Sequence, residues 1–347
     1  MNNFNDLEAI RKVDPQDTVG STDKLVSQCG VAWKEVHELT LPNWDNFKPH
    51  NVVFCGMGAS MYGGIVLKSL LGRNTPSPIE IVSDYHLPSY VNSNSLVVLT
   101  SYSGSTEETL SCAEEAKALG AKIIVLTKGG KLAEFAKTHE IPAYIFDGKL
   151  NPAGIPRLGN GYTIVGLLAM LNKLGVISQE ERDIEEAFVR LHEKQADLKA
   201  KALTDSELFL GKIPVVLSGE HLTGNAHILR NQFNETSKTF SSYFLIPDLN
   251  HHLMEGLQFP EHDPLVFLSL QSENYAPKIT QRFLLTKEVI QKNGYEVIDF
   301  QTSSQTVYDD FLETMLYGSY LSLYLGLRYD QNPAVNPWVD YFKKQLT

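Results

Sequence analysis

Cysteine and long apolar runs are scarce in this sequence. Only three of the 347 residues are cysteine, and Cys29, Cys55 and Cys112 lie far apart. An odd number of widely spaced cysteines excludes a disulfide framework and the paired spacings of zinc sites, so we expect reduced, buried thiols in a cytoplasmic protein. The most apolar stretch, 162–177, has polar interruptions. It is also shorter than the ~20 residues that cross a bilayer, so no membrane partner is expected.

Basic residues are in the minority. Thirty Lys and Arg stand against 41 Asp and Glu, which gives a formal net charge of −11 at pH 7 and an isoelectric point near 5.4. The sequence has no basic stripe that would attract nucleic acid, so nucleic acid is not an expected partner. An anionic small molecule would have to be bound locally, by backbone N–H groups and a few cations. The first 17 residues are polar and lack the apolar segment of a secretory signal.

The length and the order of apolar segments predict two domains. At about 100–200 residues per domain, the chain is long enough for two. In the first half, short runs of Val, Ile and Leu alternate with amphipathic stretches, which predicts a parallel sheet covered by helices. The predicted strands are 52–54, 79–82, 96–99, 123–126 and 143–146, and the predicted helices are 65–71, 107–119 and 132–138.

The same pattern restarts in the second half. A charged stretch without Pro or Gly, 180–201, predicts a long connecting helix. Val53–Gly56 is similar to Val216–Gly219, which indicates a weak internal duplication. Only the first copy keeps small residues in its loops, so we expect that copy to hold the charged group of a ligand. Further strands are predicted at 213–217, 265–268 and 295–298, with a helix at 279–293.

The predicted fold class is α/β, with two domains that are each a parallel sheet flanked by helices in a three-layer, flavodoxin-like arrangement. Two loops with the composition of a binding site lie in the first domain. The expected boundaries are an N-terminal helical segment at 1–45, a first domain at 46–178, a linking helix at 179–205, and a second domain with a C-terminal helix at 206–347.

A glycine-rich loop follows the first predicted strand directly. It reads Gly56-Met57-Gly58-Ala59-Ser60 and precedes a predicted helix. Glycine lets the backbone approach a ligand, and the N-terminus of the following helix presents N–H groups to an anion. Three interpretations stay open: an oxyanion- or sugar-contact loop, a dinucleotide-binding turn in which Met61 replaces the last glycine, and a plain tight turn.

A second loop, directly after the strand predicted at 96–99, is rich in hydroxyl groups. Gly104 permits a turn, and Glu107 or Glu108 could form a capping box with a preceding serine. Hydroxyl and N–H groups that converge on a helix N-terminus suit a phosphate dianion, whereas the alternative is an ordinary Ser-rich capping loop. A P-loop lysine pattern is missing, which disfavours nucleoside triphosphates. The four hydroxyl residues are Ser101, Ser103, Ser105 and Thr106.

These two loops, with the segment Ser83–Pro88 between them, resemble the sugar isomerase (SIS) domain. Within that superfamily the chain resembles the bifunctional phosphoglucose/phosphomannose isomerase family. The resemblance implies two SIS-type domains and the reversible isomerisation of glucose 6-phosphate, and of mannose 6-phosphate, to fructose 6-phosphate. It also implies a small-molecule sugar phosphate as substrate, no cofactor and no metal, and a homodimer with the site at the subunit interface.

The resemblance also assigns roles to four residues. Arg157 would stabilise the enediolate, Glu235 would be the catalytic base, His251 would assist ring opening, and Lys343 would be the active-site lysine of a C-terminal helix. The residue types suit the reaction on chemical grounds too. Ring opening needs a proton donor and acceptor, a carboxylate can move a proton between C1 and C2, and arginine stabilises the negative charge that develops. The expected substrate-binding residues are Gly58, Ala59, Ser60, Ser101, Ser103, Ser105 and Thr106.

Each of the four residues also has an ordinary interpretation. Arg157 could form a surface salt bridge, and Glu235 and Lys343 could be solvated charges. His251 could belong to a metal cluster with neighbouring residues, but the spacing lacks a complete ligand set. The members of such a cluster would be His251, His252, Glu255, His262 and Asp263.

Three positions depart from the family pattern: Thr236 after the base, His252 after the histidine, and Ala334 before the C-terminal helix. These departures put the use of mannose 6-phosphate in doubt more than the isomerase chemistry. Two other functions stay open, a non-catalytic sugar-phosphate-binding regulator and an SIS enzyme that acts on amino-sugar phosphates.

Overall fold

Parallel strands and the helices between them make up most of the computed structural model, which describes residues 7–44, 47–261, 264–303 and 305–346. The chain forms two units. Unit I is Lys24–Arg190, and unit II is Met1–Asp23 together with Leu191–Thr347. The division falls inside the helix that the sequence predicts as a link. A second division, between Asp23 and Lys24, falls within the predicted N-terminal helical segment. The domain limits given above stay predictions.

Nine strands are found in the described residues: β1 (Asn51–Cys55), β2 (Ile79–Val82), β3 (Ser95–Ser101), β4 (Lys122–Thr127), β5 (Ala143–Ile145), β6 (Ile213–Gly219), β7 (Ser242–Ile246), β8 (Leu265–Gln271) and β9 (Glu296–Gln301). The same residues form twelve α-helices: α1 (Leu7–Val13), α2 (Thr18–Asp23), α3 (Leu25–Glu38), α4 (Tyr62–Leu71), α5 (Glu107–Ala118), α6 (Gly130–Thr138), α7 (Gly166–Lys173), α8 (Glu181–Asp205), α9 (Thr223–Glu235), α10 (Pro277–Lys292), α11 (Val307–Arg328) and α12 (Pro337–Leu346). None of these helices combines the length and apolar character that crossing a membrane requires.

The sheet of unit I has the strand order β2-β1-β3-β4-β5, and every neighbouring pair is parallel. Residues Val53, Val97 and Ile123 lie opposite one another on successive strands. All seven residues of β3 are buried. A strand without a polar face must be covered on both sides, which explains its continuous apolar sequence. The order is that of flavodoxin-like folds, so the α/β prediction is confirmed.

Unit II repeats this order without a fifth strand. Its sheet reads β7-β6-β8-β9, again entirely parallel. Strands β6 and β8 therefore correspond to β1 and β3, and each first strand leads through a short 3₁₀ turn into a helix. The topology agrees with the internal duplication that the sequence indicates.

Strand β7 and helices α9 and α11 are among the elements that were not predicted from the sequence. Strand β7 is half-exposed over four of its five residues, so it lacks a buried apolar run. Helix α11 is buried at every position from Tyr308 to Leu327, so it has no polar face to produce a helical period. Helix α9 buries polar as well as apolar residues, including Asn225 and Gln232, which hides its apolar stripe.

Candidate active site

The two sequence loops meet at one edge of the unit I sheet. Strands β1 and β3 are neighbours, and their chains leave to opposite sides of the sheet, to β2 and β4. Ligands of open parallel sheets bind outside the carboxyl ends of the strands at such a switch point. The loop 56–61 follows the end of β1, and the loop 102–106 follows the end of β3. The topology therefore brings both predicted binding loops to one place.

The first loop uses its glycines for two different purposes. A Cβ atom on Gly56 would lie 2.7 Å from the carbonyl oxygen of Thr100, so only glycine fits between the two strand ends. Gly58 has φ +54 and open space on its Cβ side. This conformation starts a 3₁₀ turn, Gly58–Met61, that leads into α4. The exposed Gly58 and the half-buried Ala59 leave the backbone of this turn accessible to a ligand.

The second loop is folded by its own hydroxyl groups. The Ser101 hydroxyl lies 2.8 Å from that of Thr106 and accepts a 3.0 Å hydrogen bond from the Gly104 N–H. Ser103 Oγ accepts a 3.3 Å bond from the Ser105 N–H. Ser101 is buried, whereas Ser103 and Ser105 are exposed. The exposed serines and the first-turn N–H groups of α5 are thus the groups of this loop that can face a ligand.

The capping box predicted for this loop is wrong. Helix α5 begins at Glu107, its N-cap residue is Thr106, and within the described part of the chain no side chain caps its N-terminus. The Thr106 hydroxyl is engaged with Ser101 instead. First-turn N–H groups without a side-chain cap are the groups that an anion can bind.

The turn after β4 supports the second loop through backbone bonds. Lys128 N–H donates to the carbonyl of Tyr102 at 3.1 Å, and Leu132 N–H donates to that of Gly104 at 2.9 Å. A Cβ atom on Gly104, which has φ +71, would lie 1.7 Å from the Gly129 oxygen. Glycine is therefore required at 104 both for its conformation and for this close packing.

A hydrogen bond joins the two loops. Ser60 is buried, and its Oγ accepts a 3.1 Å bond from the N–H of Tyr102. The phenol of Tyr102 accepts a 2.8 Å bond from Asn151, and burial raises the pKa of this phenol. Ser60 therefore holds the first loop against the start of the second.

Arg157 lies in a 3₁₀ turn, Pro156–Leu158, that packs against the Gly58–Met61 turn. The residue is only 3% exposed, so the surface salt-bridge interpretation is wrong. Gln28 of α3 donates a 2.9 Å bond to the Leu158 carbonyl. Gly159 packs so closely on the ring of Tyr102 that a Cβ atom there would lie 2.5 Å from it. The buried guanidinium thus belongs to the same edge of unit I as the two loops.

The segment Ser83–Pro88 is attached to α5 by Glu115. One carboxylate oxygen accepts a 2.8 Å bond from the Leu87 N–H, and the other lies 2.6 Å from Nδ1 of His86. These two interactions, the Leu87 bond first, lower the pKa of Glu115, and the carboxylate raises the pKa of His86. The segment that follows β2 is thereby fixed beside the helix that begins at the second loop.

In unit II, Glu235 is the last residue of α9 and is half-buried. Its Oε2 accepts a 3.1 Å hydrogen bond from Nδ2 of Asn336, the residue just before α12. Asn336 was missed by the sequence analysis. A single Asn before a Pro looks like an ordinary helix start, and its partner is 101 positions away.

His251 and Lys343 are both exposed. His251 ends a 3₁₀ turn, Asp248–His251, and Lys343 lies on α12. Among the described residues, His, Cys, Asp and Glu side chains form no group of three or more that could hold a metal ion. Two members of the metal cluster considered above, His262 and Asp263, lie outside those residues.

The site edge of unit I offers what a phosphorylated substrate requires. Hydroxyl groups and uncapped helix N–H groups suit a dianion, and a buried guanidinium suits a developing oxyanion. Unit II, considered by itself, carries a carboxylate that accepts a hydrogen bond from Asn336, an exposed imidazole and an exposed amine, which are acid–base groups.

Two protein-family models match separate segments of the chain. The SIS domain model matches residues 47–143. A model described as the bacterial phospho-glucose isomerase C-terminal SIS domain matches residues 197–346.

Relatives and solved structures are also similar to the chain. A bifunctional phosphoglucose/phosphomannose isomerase of Caldicellulosiruptor bescii is 31% identical over 309 residues, which cover 85% of this chain and 89% of the relative. A D-glucosamine-6-phosphate 4-epimerase of Sulfolobus acidocaldarius is 30% identical over 210 residues, or 59% of this chain and 63% of the relative. A Thermus thermophilus protein described as hypothetical has the same fold, with a TM-score of 0.72 at 16% identity over 98% of this chain and 93% of that one.

Proposed function

The chain belongs to the bifunctional phosphoglucose/phosphomannose isomerase family, and on that premise we propose that it interconverts glucose 6-phosphate, and mannose 6-phosphate, with fructose 6-phosphate. The observation that carries the proposal is the switch-point edge of unit I, where two loops linked by Ser60 present hydroxyl and N–H groups beside a buried Arg157. Hydroxyl groups and helix N-terminal N–H groups donate the hydrogen bonds that bind a phosphate dianion. The proposed phosphate ligands are Ser103 and Ser105 with the N–H groups at the start of α5, and the loop is shaped by Ser101 and Thr106.

The proposed mechanism begins with ring opening. His251 and Lys343 exchange protons with the ring oxygen and the anomeric hydroxyl, which yields the open-chain aldose. Glu235 then takes the proton from C2 as an enediolate forms. It returns the proton to C1 while the hydroxyl proton passes from O2 to O1, which gives the ketose. The guanidinium of Arg157 stabilises the negative charge of the enediolate. Asn336 donates to Oε2 of Glu235 and so helps to hold this carboxylate in place.

We also propose that the protein is a homodimer whose sites lie at the subunit interface, as the family resemblance implies. Exposed aromatic side chains on α12 support an assembly, since Trp338 is 82% and Phe342 is 61% exposed. A cytoplasmic location is supported by the three cysteines, which are all buried and unpaired.

Deuterium exchange tests the role of Glu235. Wild-type enzyme in D₂O is expected to convert fructose 6-phosphate into aldose phosphates that carry deuterium at C2, as followed by proton NMR. Glu235→Gln keeps an oxygen for Asn336 but cannot take the proton, so the rate is expected to fall by about 10²–10⁴-fold. The matched control is Glu288→Gln on α10, an exposed carboxylate paired with Lys292. Wild-type turnover by Glu235→Gln would remove this residue from the mechanism.

Amino-sugar phosphates are the second candidate substrates, because the similarity to the D-glucosamine-6-phosphate 4-epimerase extends over more than half of the chain. Glucosamine 6-phosphate should therefore be offered to the wild-type enzyme under the same conditions. We expect it to stay unchanged while fructose 6-phosphate is converted. A higher kcat/KM with glucosamine 6-phosphate would replace the first proposal by the second.

A further inference from the structure

The carboxyl edge of the unit II sheet is built differently from the corresponding edge of unit I. In unit I, the loops after β1 and β3 surround accessible backbone and hydroxyl groups. In unit II, the loops after β6, β8 and β9 converge on a carboxylate of the chain itself, that of Asp310. Asp310 lies in the first turn of α11 and is completely buried.

Within the described part of the chain, the side chains of four residues donate hydrogen bonds to this carboxylate. Ser272 Oγ and Asn274 Nδ2 donate to Oδ2 at 2.6 and 2.9 Å, and Nε2 of His221 lies 2.8 Å from the same oxygen. The Thr302 hydroxyl donates to the other oxygen, Oδ1. We call these four residues and Asp310 the Asp310 cluster. A buried carboxylate with this many donors is an anion held in a built site.

The donors come from the positions that bind ligands in parallel α/β sheets. Ser272 and Thr302 each directly follow a strand end, and His221 lies in the 3₁₀ turn Glu220–Leu222 after β6. This turn corresponds to Gly58–Met61 of unit I. The crevice outside the carboxyl ends of the strands is the usual binding place of this fold.

A second carboxylate links the two loops of unit II. Glu220 follows β6, and its Oε2 accepts a 3.0 Å bond from the N–H of Ala276, the residue before α10. In unit I the equivalent link is neutral, from the N–H of Tyr102 to the hydroxyl of Ser60. Unit II thus has two carboxylates, those of Asp310 and Glu220, at the edge that corresponds to the one where unit I presents accessible hydroxyl and N–H groups.

We propose that the Asp310 cluster is a second anion site of the duplicated fold, occupied by the Asp310 carboxylate in place of a ligand. Unit II of the wild-type chain therefore binds no phosphate or carboxylate at this edge. Removal of the carboxylate opens the site to a small carboxylate such as formate or acetate. The inference goes beyond the proposed isomerase function and does not depend on it.

Chemical rescue of stability tests the proposal. Asp310→Ala leaves the donors of Ser272, Asn274, Thr302 and His221 in place without the carboxylate that they share, so Tm is expected to fall by several degrees. Sodium formate should restore part of that loss, because a ligand that binds only the folded state raises Tm. The readout is Tm by calorimetry in formate and in chloride at equal ionic strength, with wild type showing no difference between the salts.

Asp309→Ala is the matched control. Asp309 is the adjacent buried aspartate, but it accepts from the N–H and hydroxyl of Thr306 in a capping box at the start of α11. Its loss should lower Tm without any formate-specific recovery. Equal responses of both variants to formate would overturn the proposal, as would an Asp310→Ala chain that folds in neither salt. A wild-type crystal with phosphate bound among the donors of the cluster would overturn it as well.

Discussion

Asn336 hydrogen-bonds the proposed catalytic base, and no sequence motif indicates this contact. Its amide donates to Glu235, so we expect it to orient the base without touching the substrate. Asn336→Leu should therefore lower kcat by about 10-fold and leave KM nearly unchanged, because orientation acts on the proton-transfer step. Steady-state kinetics with fructose 6-phosphate provide the measurement. Asn336→Gln, which retains an amide, should recover part of the rate, and a pure rise in KM in either variant would contradict the assignment.

At the residue scale, the sequence predicted side chains that carry a recognisable chemical type in a recognisable motif. Arg157 was identified by its motif, but its burial was not, because burial depends on the packing of the Pro156–Leu158 turn against another loop. The roles of Ser101 and Thr106 in shaping their loop were also not predicted. Hydroxyl groups near a helix start can bond a ligand, a neighbour or the helix, and sequence spacing does not distinguish these outcomes.

The second binding loop is an element whose conformation depends on Gly104. Gly104→Ala should destabilise the protein by about 3 kcal/mol or more and weaken phosphate binding, since the new Cβ would overlap the Gly129 oxygen. The matched control is Gly120→Ala at the end of α5, where φ is +69 and the nearest atom is 3.9 Å away. That variant should lose only about 1 kcal/mol, from the backbone conformation alone. Urea denaturation and phosphate titration measure both effects, and similar losses in the two variants would refute the close-packing argument.

The attachment of Ser83–Pro88 to α5 predicts a pH dependence. Because Glu115 raises the pKa of His86, the pair stabilises the fold below the ordinary pKa of histidine, near 6.5, and this contribution is lost as the pH rises through the raised value. In Glu115→Gln the pKa of His86 should fall, as measured by NMR titration of its ring protons. The difference in Tm between variant and wild type should also be larger near pH 6 than near pH 8.5. An unchanged His86 titration would show that the contact does not persist in solution.

At the element scale, predictions from the sequence succeeded for strands rich in Val, Ile and Leu and failed for elements that show neither such a run nor a helical period. The five strands of unit I are short segments rich in apolar, mostly β-branched residues, and all were predicted. Strand β7 is only partly buried, and α11 is buried on every side, so neither shows the period of its own structure. The capping box between a serine of the second loop and Glu107 or Glu108 was also wrong, because the N-cap residue is Thr106 and its hydroxyl bonds Ser101.

At the scale of the whole molecule, the sequence indicates an internal duplication of one α/β unit. The matching strand orders of the two units support it. The proposed homodimer with shared sites yields a test at this scale. Glu235→Gln and His251→Ala should each be nearly inactive, but unfolding and refolding them together should recover about a quarter of wild-type activity if each site uses both chains. Light scattering would establish the dimer. Recovery would be absent if both residues act within one chain.

The loop that follows β3 accepts backbone hydrogen bonds from two amides that lie after β4, outside the proposed phosphate site. The N–H groups of Lys128 and Leu132 donate to carbonyls of that loop, so their protection from solvent depends on how firmly the loop is held. Occupancy by inorganic phosphate should slow hydrogen–deuterium exchange at these two amides. Mass spectrometry of the peptide that contains them therefore reports ligand affinity in variants that no longer turn over substrate, which separates binding from chemistry.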